Sequence, residues 1–108
     1  METLTLTSIK ARHQELCAEA LEIFAKKNAD YARSDSKPFS NFELPSILGV
    51  CRTDEATFIR LLDKISRMAN LLRRDPVVTE EQMHDTIIDA LNYLVIIAIT
   101  REWWEGGA

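Results

Sequence analysis

The sequence predicts an all-α fold: three long helices and a short helix within a loop insert, forming a helical bundle that oligomerisation completes. Apolar residues recur at intervals of three and four along three separate stretches, which is the spacing of amphipathic helices. With 108 residues, of which 46% are hydrophobic and 28% charged, the chain has the size and composition of a globular domain. We therefore predict a single domain spanning 1–108.

Charge and composition narrow the classes of partner. A net charge of −4 argues against a general electrostatic grip on polymeric nucleic acid. Two cysteines without metal-ligand spacing fit a reducing compartment. The start, METLTLTSIK, does not have the form of a signal peptide, and the run LNYLVIIAIT has about half of the roughly 20 apolar residues that cross a bilayer. We expect a soluble cytoplasmic protein without a membrane partner.

The first predicted helix begins after Thr7 or Ser8, either of which would cap it. Its apolar stripe consists of Ile9, Leu16, Ala20, Ile23 and Phe24. Glu15, Glu19 and Glu22 share the opposite side. They form either half of a metal site or a solvated acidic face, and the second is the usual outcome for an amphipathic helix.

The segment from Lys27 to Val50 interrupts the helical pattern and is predicted to be a loop. Its turn and cap formers are Asn28, Asp30, Ser34, Asp35, Ser36 and Pro38. Its apolar anchors are Phe39, Phe42, Leu44, Ile47 and Leu48. Pro45 is expected to start a short helix that ends at Gly49. Because long loops in small domains are more often functional than idle, this segment is a candidate for ligand contact.

Two further helices are predicted after the loop. The second follows Thr53 as N-cap and stops at Asp75, since the residue before a proline avoids the helical region. The third starts with the capping-box pattern of 79–82 and runs to about Trp104. The neighbouring tryptophans Trp103 and Trp104 favour packing against a second subunit over free exposure.

The third helix carries an acidic stripe. At about 100° per residue, Glu81, Asp85, Asp89 and Asn92 fall within an arc of roughly 80°. Much of the remaining circumference is apolar: Ile87, Leu91, Leu94, Val95 and Ala98. A helix that is apolar on most sides is normally central, so we expect the stripe to face a cleft, at least at Asp89 and Asn92.

Carboxylates in a cleft need partners, because a buried unpaired charge costs several kcal/mol. Three partners are open: Mg²⁺, Lys64 or Arg67 of the second helix, and polar groups of the loop. Mg²⁺ accepts one or two carboxylates together with substrate phosphates. The cationic row Arg60, Lys64 and Arg67 is itself either a phosphate-binding row or the solvated face of its helix.

Five short stretches occur in a specific order: KNADY, FSNFE, GV, RLLDKISR and EQMHDTIIDALNY. Together they resemble the nucleotide-modification-associated domain family of bacteriophages and prophages, over about Ala25 to Ile99. That family is distantly similar to the all-α nucleoside triphosphate pyrophosphatases, the MazG and dUTPase-like group. The resemblance implies a helical bundle that works as a dimer or higher oligomer, with a nucleotide-derived ligand between helices, in the cytoplasm of an infected or lysogenic bacterium. The family positions it implies are Asp30, Tyr31, Asn41, Asp63, Lys64, Arg67, Asp85, Asp89, Asn92 and Tyr93.

The sequence departs from the pyrophosphatases at their metal ligands. Those enzymes carry an ExxE pair on one helix and an ExxD pair on the next. Here Ser66 stands three residues after Asp63, and Thr86 stands three residues before Asp89. The quartet of carboxylates is incomplete, so the residues leave binding and hydrolysis both open.

Three functions follow as hypotheses. The first is a non-catalytic binder of a nucleotide or nucleotide-derived ligand, which would sequester a nucleotide signal of host defence or handle modified nucleotides. Its candidate contacts are Asn28, Asp30, Tyr31, Asn41, Phe42, Lys64, Arg67, Asn92 and Tyr93. The second is a Mg²⁺-dependent nucleoside triphosphate pyrophosphatase with Asp85 and Asp89 as ligands, joined by Asp63 and Glu81. The third is a helical protein-interaction module whose acidic stripe only pairs with Lys64 and Arg67.

Overall fold

The computed structural model describes residues 3–31 and 40–107, with side chains described for residues 3–28 and 42–102. It contains four helices: α1 (Leu6–Tyr31), α2 (Ser40–Ile47), α3 (Thr53–Leu71) and α4 (Pro76–Gly107). All regular structure in these residues is helical, so the predicted all-α class is confirmed.

Helix α1 is longer at both ends than predicted. It begins at Leu6, because Thr5 and Ser8 form a reciprocal cap: the Ser8 amide donates to Thr5 Oγ1 at 3.1 Å and the Thr5 amide to Ser8 Oγ at 3.0 Å. It then continues to Tyr31, so Asn28, Asp30 and Tyr31 belong to its last turn and not to a loop. The predicted loop residues Ser34, Asp35, Ser36, Pro38 and Phe39 lie outside the described residues.

The prediction that α2 starts at Pro45 is wrong, because this proline lies inside a helix that begins at Ser40. The predicted terminator is correct. Gly49 has a φ of +74°, its amide donates to the Ser46 carbonyl at 3.0 Å, and the Val50 amide donates to the Pro45 carbonyl at 2.9 Å. This pair of bonds is a Schellman motif, which needs one residue in the left-handed conformation, and glycine adopts that conformation without steric cost.

The two long C-terminal helices start earlier than predicted. Arg52, not Thr53, precedes the first turn of α3, and its amide donates to Glu55 Oε1 at 3.0 Å. At α4, Asp75 Oδ1 accepts the Val77 amide at 3.0 Å, so the cap lies four residues before the predicted Thr79. A proline in the first helical position fits this start, since its missing N–H would have no partner within the helix.

Helix α4 holds the fold together: α3 and α1 both pack against it, and α2 packs against α3. The buried apolar side chains among the described residues are Ala20, Phe42, Leu61, Leu71, Ile88, Ala90 and Ile96. A second tie between α1 and α4 is polar, since His84 Nε2 lies 2.9 Å from both carboxylate oxygens of Glu19. The predicted central position of α4 is therefore confirmed with respect to α1 and α3.

An ionic cluster joins the start of α3 to the end of α4. The buried Asp54 carboxylate accepts from Arg52 Nε and from the Glu55 amide, both at 3.0 Å, and lies 3.4 Å from Arg101. Burial by itself raises the pKa of Asp54, but the bonds and charges of these partners outweigh it, so the pKa lies below its ordinary value.

We expect the Asp54 cluster to make the free energy of unfolding depend on pH in the acidic range. A depressed folded-state pKa contributes stability that is complete above the unfolded value of about 3.9 and is lost as pH falls through the folded value. At pH 7 the urea midpoint of Asp54→Asn should therefore be lower than that of the wild type. As the pH falls from about 7 to about 3, the midpoint of the variant should decrease less than that of the wild type. Asp63→Asn, at an exposed carboxylate on the same helix, is the control and should keep the wild-type slope.

The described part of the single chain leaves an extensive apolar surface uncovered. We define the outer face as the large apolar side chains of α3 and α4 that are 37% to 58% exposed: Phe58, Ile59, Leu62, Ile65, Ile87, Leu94 and Val95. The two helices meet on this side at a shallow cavity of about 350 Å³, to which Phe58 and Ile59 of α3 and Ile97 of α4 contribute.

The predicted apolar circumference of α4 is thus present, but four of the five side chains named for it are exposed within the described chain: Ile87, Leu94, Val95 and Ala98. By length and composition, Pro76–Glu102 is also apolar enough to cross a membrane, a test that core helices of soluble proteins pass as well. Only 28% of its most apolar stretch is buried. The Cα radius of gyration is 16.3 Å, against about 13 Å for a compact domain of 100 residues.

Candidate functional site

A cavity of about 380 Å³ lies between α1, α3 and α4, with Phe42 of α2 as a further wall. Its described lining residues are Phe24, Lys27, Asn28, Phe42, Arg60, Lys64, Asp89, Asn92, Tyr93 and Ile96. This volume is within the range of about 300–1,000 Å³ of small-molecule sites. Because each wall comes from a different helix, the site exists only in the folded chain.

The polar centre of the cavity is a carboxylate between two lysines. Asp89 Oδ1 accepts from Lys27 Nζ of α1 at 2.8 Å, and Oδ2 lies 3.1 Å from Lys64 Nζ of α3. The Asp89 side chain is 21% exposed, and that of Lys64 is 28% exposed. One carboxylate on α4 therefore connects to both neighbouring helices at the edge of the cavity.

The lysines decide the charge state of Asp89. Partial burial raises the pKa of its carboxyl, but hydrogen bonds from Lys27 and Lys64, together with their charges, more than reverse this effect. The pKa of Asp89 consequently lies below its ordinary value. The carboxylate is anionic at neutral pH, as a counter-ion for two ammonium groups must be.

One wall of the cavity is aromatic. Phe42 and Tyr93 meet edge to face, with ring centroids 5.9 Å apart and an interplanar angle of 76°. The Arg60 guanidinium lies over the Phe42 ring, 4.5 Å from its centroid. Phe24 packs against the same cluster from α1. Planar rings next to cationic groups are the surfaces on which nucleobases stack in many nucleic-acid-binding proteins.

Asn92 has a structural role as well as a place in the cavity. Its Nδ2 donates to the Ala20 carbonyl of α1 at 3.0 Å, which ties α1 to α4 one turn from Asp89. The sequence interpretation that Asp89 and Asn92 face a cleft is confirmed, since both line the cavity. The Asn92 Nδ2 and both Asp89 oxygens have partners on neighbouring helices, so these two side chains position α1 as well as shape the site.

The structure brings together seven of the polar and aromatic residues singled out from the sequence as candidate contacts: Asn28, Phe42, Arg60, Lys64, Asp89, Asn92 and Tyr93. Arg67 does not join them. It lies on the exposed side of α3, beyond Lys64, outside the cavity lining. The side chains of Asp30, Tyr31 and Asn41 lie outside the described residues, so their predicted contacts stay predictions.

The proposed metal ligands are not assembled around Asp89. Asp63, Glu81 and Asp85 are exposed, and both Asp89 oxygens face lysines. Within residues whose side chains are described, no group of three or more His, Cys, Asp or Glu could hold a metal ion. Both groups that contact the Asp89 carboxylate are ammonium ions, Lys27 and Lys64.

Sequence reasoning missed two contributors from α1. Phe24 was interpreted only as part of an apolar stripe, and Lys27 was not singled out as a ligand contact. A signal was present: Phe24, Lys27 and Asn28 have i, i+3, i+4 spacing, which places them on one helical face. The salt bridge predicted for the acidic stripe forms at Lys64, with Lys27 as the second partner in place of Arg67.

The resemblance to the nucleotide-modification-associated family stays a prediction, and the function is inferred from the cavity. No family model matches the chain, and neither the curated proteins nor the solved structures contain a match.

Proposed function

We propose that the protein is a non-catalytic binder of a nucleotide or nucleotide-derived ligand. The observation that carries the proposal is the cavity that combines an aromatic wall with three cationic side chains, Lys27, Arg60 and Lys64. Apolar sites with a few convergent polar groups are the usual form of small-molecule sites. This combination suits a ligand with a flat base at one end and phosphate at the other.

Each part of such a ligand has a matching wall. Phosphate would lie at the ammonium groups of Lys27 and Lys64, which act as point charges with several donors. The base would stack on the ring of Tyr93, because Phe42 is buried and the Arg60 guanidinium already lies over its ring. Such a contact is worth about 1–3 kcal/mol per base in single-strand binding. Asn28 lines the cavity, and its side-chain amide has the donor and acceptor types that sugar hydroxyls bind.

Hydrolysis is the less favoured function. It would need a metal-bound or base-activated water, and the carboxylate in the cavity is instead occupied by two lysines. Following the resemblance, we extend the proposal to a phage-type cytoplasmic protein that sequesters a nucleotide signal of host defence or handles modified nucleotides.

Calorimetry with a panel of nucleotides tests the proposal. The panel holds nucleoside mono-, di- and triphosphates and linear and cyclic dinucleotides, each with Mg²⁺ and with EDTA, followed by chromatography of the ligand. We expect at least one to bind in EDTA and to be recovered intact. Pyrophosphate release that requires Mg²⁺ would instead establish the pyrophosphatase, and absence of binding throughout would leave the interaction module.

Two neighbouring lysines provide a matched pair of variants. Lys27→Ala should weaken binding of the best ligand at least about tenfold, or about 1.4 kcal/mol, because it removes a charge-assisted contact to phosphate. Lys26→Ala removes the same side chain from the adjacent, exposed position outside the cavity lining and should stay within about twofold of the wild type. Equal losses in both variants would indicate general charge attraction and not a defined site.

We further propose that a second copy covers the outer face and completes a helical bundle. Monomeric soluble proteins rarely expose contiguous apolar patches above about 300–600 Å². The outer face comprises seven large exposed side chains on two helices that pack against each other, and the elongated single chain has the small core described above. The predicted dimer or higher oligomer would bury these side chains as a protein core does.

A further inference from the structure

Asp89 occupies an unusual position for a carboxylate in a site for anions. Among the described lining residues it is the sole acid, next to the cations Lys27, Arg60 and Lys64. A negative charge there repels an incoming phosphate, and partial burial strengthens that repulsion relative to bulk water. Its presence in the site therefore needs an account beyond helix packing.

The contacts of Asp89 suggest a reason for its presence in the cavity. Its two oxygens take ammonium groups from different helices, Lys27 at 2.8 Å and Lys64 at 3.1 Å. A phosphate offers the same arrangement, since two of its oxygens share negative charge and each accepts a charge-assisted bond. An ammonium group has three donors on a flexible four-carbon stem, so it can turn from Asp89 to a ligand while its helix stays in place.

We propose that Asp89 is the internal counter-ion of this cavity, which holds Lys27 and Lys64 before ligand binds and yields them to the phosphate of the ligand. The inference rests on the proposed nucleotide-binding function and assigns Asp89 a specificity role within it. A ligand has to compete with a carboxylate at both lysines. Dianionic phosphate does so, whereas neutral nucleosides gain nothing from the exchange.

A counter-ion and a metal ligand at position 89 predict opposite effects of removing the carboxylate charge. Removal of the Asp89 charge should strengthen the binding of phosphate ligands without metal, because competition and repulsion both disappear. A Mg²⁺ ligand at this position would give a loss of Mg²⁺-dependent binding and no gain in EDTA.

The experiment compares Asp89→Asn with the wild type in EDTA, using inorganic phosphate, adenosine monophosphate and adenosine as probes. We expect phosphate and adenosine monophosphate to bind at least about fivefold more tightly to the variant, as expected for loss of a like charge within a few ångströms. Adenosine should bind the two proteins equally. Asp85→Asn, which removes an exposed carboxylate one turn away on α4, is the matched control and should bind all probes as the wild type does.

The outcomes separate this inference from the function on which it rests. Binding of adenosine monophosphate by the wild type, with equal or weaker binding by folded Asp89→Asn, would overturn the counter-ion and leave the binding function intact. Failure of both proteins to bind phosphate or adenosine monophosphate would overturn the counter-ion, whereas the binding function is overturned only if the whole nucleotide panel also fails to bind. Should Asp89→Asn not fold, the ¹³C signal of the Asp89 carboxyl in the wild type decides: it should shift when phosphate is added, and an unmoved signal would refute the exchange.

Discussion

Ile88→Ala should lower the free energy of unfolding by about 2–5 kcal/mol, the cost of truncating a large buried aliphatic side chain. Ile88 is 1% exposed and lies on α4 among the buried side chains that fix its packing. Truncation removes apolar contacts and leaves a cavity that a small core cannot readily close. For a domain of this size the melting temperature should fall by roughly 10 °C or more.

The measurement is urea unfolding followed by circular dichroism, at one fixed protein concentration because self-association would add to stability. Ile47→Ala serves as control: the same atoms are removed from a side chain that is 73% exposed on α2. It should stay within about 0.5 kcal/mol of the wild type. A similar loss in both variants would mean that Ile88 is not a principal core residue.

Leu94→Glu should dissociate the proposed oligomer. Leu94 is 52% exposed at the centre of the α4 part of the outer face, so a glutamate there is solvated in a single chain. In an interface between two copies the same carboxylate would be buried without a partner, at a cost of several kcal/mol. A two-fold interface would carry the substitution twice. We expect the dissociation constant to rise at least about a hundredfold, or about 2.8 kcal/mol.

Sedimentation equilibrium over a concentration series measures this shift. Val77→Glu places the same charge on the same helix at a side chain that is 90% exposed, in a first turn where acids are favourable, and should keep the wild-type mass. A wild type that is monomeric at every concentration would refute self-association. If that monomer bound lipid vesicles, the outer face would be a membrane surface. An oligomer that Leu94→Glu leaves intact would place the interface elsewhere.

The all-α class and the existence of each long helix could be predicted, because periodicity and breaker residues act over a few neighbours along the chain. The residues at which the helices start could be predicted less well. Thr79 has the sequence form of a cap, yet Asp75 is the residue that accepts the first amide of α4. Several polar residues near a helix start compete for the same few amides, and the geometry of the preceding turn decides among them.

The site was predicted where it depends on one helix alone. Asp89 and Asn92 were expected to face a cleft because their spacing on α4 puts them on one side, and both line the cavity. Lys27 and Arg67 show that contacts between helices could not be predicted in this way. Which cation reaches Asp89 depends on how α1 and α3 cross α4, and local spacing contains no information on those crossings.

The sequence by itself determined that this protein is helical, that α4 is apolar on most sides, and that one edge of it carries acids and an amide. These properties follow from the fixed rotation per residue of a helix. Only the tertiary structure decided that Lys27 and Lys64 share Asp89, that an aromatic wall adjoins them, and that most of the apolar side chains predicted for the outside of α4 stay exposed in the described chain. These are contacts between residues up to 62 positions apart, and they exist because helices pack by the shapes of whole faces.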